Sequence, residues 1–217
     1  MQQAGSPATS LRPRSVQQRY RSTRRPDHTL GNLQQVPDFF TSPPASVEQL
    51  IGARIREVPD FPTPGIAFKD ITPLLADPPS FAVAVEAMAK PFAGCVDQVV
   101  GIEARGFILA APIAYVLGAG VVPLRKEGRL PAPTFSEGYE LEYGSAVLEV
   151  HRDAFHWGSR TLIVDDVLAT GGTAAVAASL VEQAGGEVIG LSVLLELVGL
   201  NGRDKLVGRE VHALLTA

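Results

Sequence analysis

Cysteine is almost missing from this sequence. Cys95 stands alone among 217 residues, which excludes an internal disulfide framework and fits a reducing, cytoplasmic setting. Histidine is scarce too: His28, His151, His156 and His212 share no metal-ligand spacing, so no metal cluster is expected from them. Nothing resembling the apolar region of a secretory signal occurs near the start. Residues 106–124 carry no charge, a length that would permit a membrane span. Pro112, Gly118, Gly120 and Pro123 break that stretch into a short helix and a buried strand, and no membrane partner is expected. Neither a Walker-type Gly-Lys-[Ser/Thr] loop nor a G-x-G-x-x-G dinucleotide turn is found.

What is present is unevenly spread. Hydrophobic residues make up 46% and charged residues 19%, the balance of a globular chain rather than a disordered one. The length suffices for one domain with its own core. Residues 1–45 hold six arginines (Arg12, Arg14, Arg19, Arg21, Arg24, Arg25) against Asp27 and Asp38, a net of +4; with −4 overall, the remainder carries −8. This first stretch mixes Gln, Ser, Arg and Pro without a period of 2 or 3.6, and reads as a disordered basic tail. A transit peptide and a nucleic-acid arm are its other readings. The acidic remainder argues against a general nucleic-acid surface. A single domain is expected over residues 46–217.

Ser46-Val47-Glu48-Gln49 forms a capping box that opens a helix, and Val47, Leu50, Ile51, Ile55 and Val58 predict one apolar stripe. Residues 59–75, PDFPTPGIAFKDITPLL, hold too much proline for a helix and too much apolar surface for a free loop; they read as an ordered cover. Asp77-Pro78 opens the next helix, with Phe81, Val85, Met88 and Phe92 on one face. Strands then alternate with helices: strands over 98–102, 120–125, 145–151, 160–165, 188–195 and 211–215, helices over 105–117 and 171–184. A long irregular segment with strand-like ends is expected over 126–143. The alternation predicts an α/β fold, a mainly parallel twisted sheet flanked by helices.

The most informative run is Leu162-Ile163-Val164-Asp165-Asp166-Val167-Leu168-Ala169-Thr170-Gly171-Gly172-Thr173. An apolar strand delivers two carboxylates at its carboxyl end, where ligands of open α/β sheets bind. Ala169, Gly171 and Gly172 let backbone amides approach an anion, Thr170 and Thr173 add hydroxyls, and a helix begins with its positive end toward the site. Two acids beside a phosphate would repel it unless they face something neutral and rich in hydroxyls. A ribose 5-phosphate satisfies both halves.

This run resembles the phosphoribosyl-pyrophosphate motif of type I phosphoribosyltransferases. Three further stretches are similar to the adenine-specific family among them. Residues 61–75 look like its amino-terminal hood, Gly101-Ile102-Glu103-Ala104-Arg105-Gly106-Phe107 like its pyrophosphate turn, and Leu141-Glu142-Tyr143-Gly144 like the end of its flexible catalytic loop. Lys69 stands where many members carry arginine.

The resemblance implies transfer of ribosyl phosphate from phosphoribosyl pyrophosphate to adenine, giving AMP and pyrophosphate, with Mg2+ carried by the substrate and linked through water to Asp165. It also implies a homodimer. Arg105, whose rigid fork suits pyrophosphate oxygens, joins Lys126 and Arg125 as the pyrophosphate group. Among Glu137, Glu140 and Glu142, composition cannot choose. The resemblance selects Glu142 for the purine N7 proton, with Tyr143 beside it. Phe68 is then the purine platform, and Ala67 and Lys69 flank it.

Overall fold

The computed structural model describes residues 46–140 and 145–217. Helix α1 (Val47–Gly52) opens on the expected capping box, with the Gln49 amide donating to the Ser46 hydroxyl and the Gln49 side chain accepting from the Ser46 amide. The predicted stripe is cut short. Gly52 ends the helix, and Arg56–Val58 form strand β1, paired antiparallel with β2 (Phe68–Asp70). Pro59 disfavours helix at Val58, and the pairing supplies hydrogen bonds that a continued helix would have lacked. Ile51 alone of the stripe is fully buried. Thr72–Leu75 form α2, a single turn started by Pro73, so the proline-rich cover does contain one helical turn.

Helix α3 (Pro78–Ala89) is capped by Asp77, whose carboxylate accepts from the Ser80 amide. Strand β3 (Gln98–Ile102), α4 (Arg105–Leu117) and β4 (Gly120–Lys126) follow, then a hairpin of β5 (Thr134–Glu140) and β6 (Ser145–His151). The hairpin corrects one expectation. Residues 134–140 form a regular strand paired along its length with 145–151, because Phe135 and Tyr139 alternate inward onto the core and give the segment a period of two. Strand β7 (Ser159–Leu168), α5 (Gly172–Gln183), β8 (Gly186–Glu196) and β9 (Val211–Thr216) complete the chain, β7 and β8 extending past the expected ends.

The large sheet has the order β5-β6-β4-β3-β7-β8-β9. Its middle and far edge, β4-β3-β7-β8-β9, are parallel, and only β6 runs against them, paired antiparallel with both β4 and β5. Each face buries its own core. Val176, Ala177, Leu180 and Val181 of α5 pack on Ile102, Ile163 and Val193, while Leu109, Ala110 and Ile113 of α4 pack with Met88 of α3 on Val99 and Val164. Strands β3 and β7 are neighbours, yet their following helices leave to opposite faces. Their carboxyl ends therefore splay a crevice between α4 and α5, the place where open α/β sheets bind ligands.

Candidate active site

Asp165 and Asp166 reach this crevice at the end of β7. Burial and the neighbouring Asp166 charge push the Asp165 carboxyl well above the ordinary aspartate range. Burial also raises Asp166, against the opposing charge of Arg105. Arg105 Nε lies 2.9 Å from Asp166 Oδ2, but its N–H is not aimed along that line and the oxygen accepts no hydrogen bond. The Asp166 amide donates to Asp165 Oδ1 at 2.9 Å. A buried pair of adjacent acids is costly, and hydroxyl donors would satisfy the acceptors that the protein leaves open.

Glycine makes the approach of Arg105 possible. A Cβ on Gly106 would lie 2.9 Å from the Val164 carbonyl and 3.0 Å from Asp165 Oδ1, so only glycine lets the first turn of α4 sit on the strand end. The Glu103–Ala104 peptide just before it is cis.

The loop after β7 bounds a cavity of ≈ 150 Å³ with Asp165, Ala169, Thr170, Gly171, Gly172 and Thr173 in its wall. Gly171, at φ +76°, sits at the N-cap of α5, and no side chain caps that helix. The first-turn amides are thereby left to an incoming anion. Beside this lies a second cavity of ≈ 350 Å³, where Asp165, Asp166, Ala169 and Thr173 meet Arg105 and the hood residues Ala67, Phe68 and Lys69. The Arg105 guanidinium stands 5.0 Å from the Phe68 ring centroid, and Phe61 meets the same ring edge-on at 5.1 Å.

Asp70 braces the hood from within. Its carboxylate accepts from the Thr72 hydroxyl and amide and from Arg56, which together push its pKa down to about 2.

The three predicted cations part company. Arg105 enters the crevice. Arg125 is tied at 3.3 Å to Glu103 and donates to the Arg129 carbonyl, and it does not line either cavity. Lys126 donates its amide to Glu103 Oε2 at 3.0 Å, and its side chain is exposed at the end of β4. Lys69 lines the hood cavity while pairing with Glu57 at 2.5 Å. Glu142 and Tyr143 lie outside the described residues, as does the stretch 1–45.

Sequence reading passed over three contributors. Glu103 lines the hood cavity and organises the backbone of Lys126, whose amide, with Arg125, holds the Glu103 carboxyl below its usual range. Its place between a strand and a predicted cation was a usable signal. Tyr139 and Leu197 also line the hood cavity, and only the fold brings them there.

A buried acid pair, an uncapped helix start and an aromatic hood meet at the carboxyl ends of the central strands β3 and β7, the arrangement of a phosphoribosyltransferase. The family described as phosphoribosyl transferase domain matches residues 76–211. The adenine phosphoribosyltransferase of Acidothermus cellulolyticus is 58% identical over 174 residues, which is 80% of this chain and 98% of that one. That of Streptomyces coelicolor is 52% identical over 178 residues, 80% of this chain and 98% of that one. Among solved structures, the adenine phosphoribosyltransferase of Rhodothermus marinus superposes with a TM-score of 0.75 at 51% identity, covering 79% of this chain and 98% of that chain. The Saccharomyces cerevisiae enzyme, complexed with adenine and an imino-altritol bisphosphate, gives 0.74 at 38%, covering 78% and 99%. The chain belongs to the adenine phosphoribosyltransferase family.

Proposed function

We propose that this protein transfers ribose 5-phosphate from phosphoribosyl pyrophosphate to N9 of adenine, releasing pyrophosphate and forming AMP. The observation that carries the reading is the crevice, where one wall is an acid pair beside an uncapped helix start and the opposite wall is an aromatic ring. The cradle of Ala169, Thr170, Gly171, Gly172 and Thr173 takes the 5-phosphate through amides and hydroxyls. Asp165 and Asp166 accept hydrogen bonds from the ribose 2- and 3-hydroxyls. Phe68 stacks on the purine, a contact of about 1–3 kcal/mol, and the Ala67 backbone reads its edge with Lys69 alongside. Arg105, and Lys126 from the neighbouring strand end, neutralise the leaving pyrophosphate. Glu142 handles the N7 proton, with Tyr143 beside it.

Among the described residues no three His, Cys, Asp or Glu side chains converge. Mg2+ keeps most of its waters and prefers substrate phosphates plus one or two carboxylates. The buried acid pair fits that habit, with Asp165 reached through water, and the ion would offset charge on the departing pyrophosphate. Active as a homodimer, the protein would bury the exposed apolar stripe of α4, where Ile108, Val116 and Tyr115 are 46%, 52% and 88% exposed. No described helix is long and apolar enough to cross a membrane. A cytoplasmic purine-salvage role fits the reaction and the free thiol of Cys95.

The test is an incubation of purified protein with magnesium, phosphoribosyl pyrophosphate and each purine or pyrimidine base separately. AMP from adenine is expected; a nucleotide from guanine with none from adenine would end the reading.

A further inference from the structure

Glu137 lies between Phe135 and Tyr139 on the face of β5 that packs against the α5 side of the core. Its Oε2 accepts hydrogen bonds from Ser179 Oγ and Gln183 Nε2, each at 2.6 Å, and those two donors lie 3.1 Å apart. Ser179 and Gln183 stand one turn apart on α5, so a carboxylate from the hairpin closes a three-membered polar clamp on that helix. Phe135 and Tyr139 alone would hold the strand by contacts that have no direction. The clamp adds direction and fixes where along α5 the strand comes to rest.

Both ends of this arrangement lead to the crevice. Helix α5 begins at Gly172 and Thr173 in the cradle, and Tyr139, two residues beyond Glu137 on the same face, enters the wall of the hood cavity beside Ala169 and Thr173. We propose that Glu137 is a positioning residue: by tying β5 to α5 it holds Tyr139 against the cradle, so that cradle, acid pair and hood close on one substrate in register. The inference rests on the ribosyl-transfer reading above. It assigns Glu137 no contact with substrate. Glu137, Ser179 and Gln183 themselves line neither cavity, so their loss leaves the substrate-binding groups in place and should appear in turnover rather than in substrate affinity.

The experiment compares the full-length protein with Glu137→Ala, Glu137→Gln, Ser179→Ala and the double variant Glu137→Ala/Ser179→Ala. Steady-state kinetics with adenine and magnesium phosphoribosyl pyrophosphate are measured beside amide hydrogen exchange. Glu137→Ala should lower kcat about tenfold with both KM values within about threefold. Glu137→Gln keeps an acceptor oxygen in place and should restore kcat to within about threefold of the parent. The double variant should be no worse than Glu137→Ala, since both break one clamp. Exchange should quicken across 134–140 and stay unchanged in β3 and β7.

Parent-like kcat in Glu137→Ala, a loss that Glu137→Gln does not recover, or a KM rise that accounts for the whole effect would each overturn the proposal. If Glu137→Ala fails to fold, Ser179→Ala, which removes one donor and leaves the other, carries the same comparison. Should the parent protein itself make no AMP, the transfer reading has failed. The clamp is then judged by exchange alone, and identical rates over 134–140 in parent and variant would remove it.

Discussion

Alanine in place of Gly171 strains the cradle at its tightest point. Gly171 sits at φ +76°, and a Cβ added there would lie 2.1 Å from the Gly202 carbonyl oxygen, where real contacts stay beyond 3.0 Å. Something must withdraw by about 0.9 Å. Gly202 is poorly placed to do so, because its own α carbon is so close to the loop that a Cβ on it would stand 2.3 Å from the Ala169 carbonyl. Next to it the Leu197 amide donates to the Leu168 carbonyl at 2.9 Å. The shift therefore falls on residues 169–173, whose amides form the cradle. A left-handed alanine costs about 1–2 kcal/mol and the overpacking roughly 1–3 kcal/mol. That sum is below the roughly 5–15 kcal/mol stability of an ordinary domain, so the variant folds, with Tm lowered on the order of 10 °C.

A displacement near 1 Å spoils one charge-assisted amide–phosphate bond, worth about 1.5–3 kcal/mol. The KM for phosphoribosyl pyrophosphate, measured at saturating adenine, should rise by roughly 10–100-fold, while the KM for adenine changes little. A variant with parent-like KM and Tm would show that the Gly171–Gly202 contact does not govern the cradle.

Asp165→Asn should raise the Tm of the ligand-free protein at neutral pH. The folded-state pKa of Asp165 is raised, by burial first and then by Asp166, so the fold disfavours the ionised form. That penalty is absent below the unfolded aspartate value of about 3.9 and grows to its full size above the folded one. The gain should therefore shrink to nothing as pH falls into that acid range, and a variant less stable than its parent at neutral pH would contradict the burial. Removing residues 1–45 should leave kcat and both KM values unchanged; a large loss would make that stretch a working part.

Much of the site was legible before the fold was known. The run from Leu162 to Thr173 announced a strand, two acids and a helix start, because each step rests on local chemistry: apolar residues, adjacent carboxylates, small residues, then a helical period. The same locality makes β3, α4 and β6 readable to the residue. Where the reading slipped, distant partners decided. Ile55 and Val58 match a helical stripe, yet the stripe ends because Arg56–Val58 pair with Phe68–Asp70. Residues 134–140 look irregular alone and become a strand once Phe135 and Tyr139 find the core beside α5. The support of Gly171 by Gly202, some thirty residues away, and the capture of Arg125 by Glu103 leave no periodic trace, since both are single long-range contacts. The resemblance groups Arg125 with Arg105 and Lys126 for pyrophosphate; the structure turns Arg125 to Glu103 and to the Arg129 carbonyl.

The most direct test of the acid pair is calorimetric titration of magnesium phosphoribosyl pyrophosphate into the parent and into Asp165→Asn/Asp166→Asn. Saturable binding to the parent and no measurable binding to the double variant, whose melting remains cooperative, is the predicted result. Equal affinity in both proteins would mean that the ribose hydroxyls are held by something other than these two carboxylates.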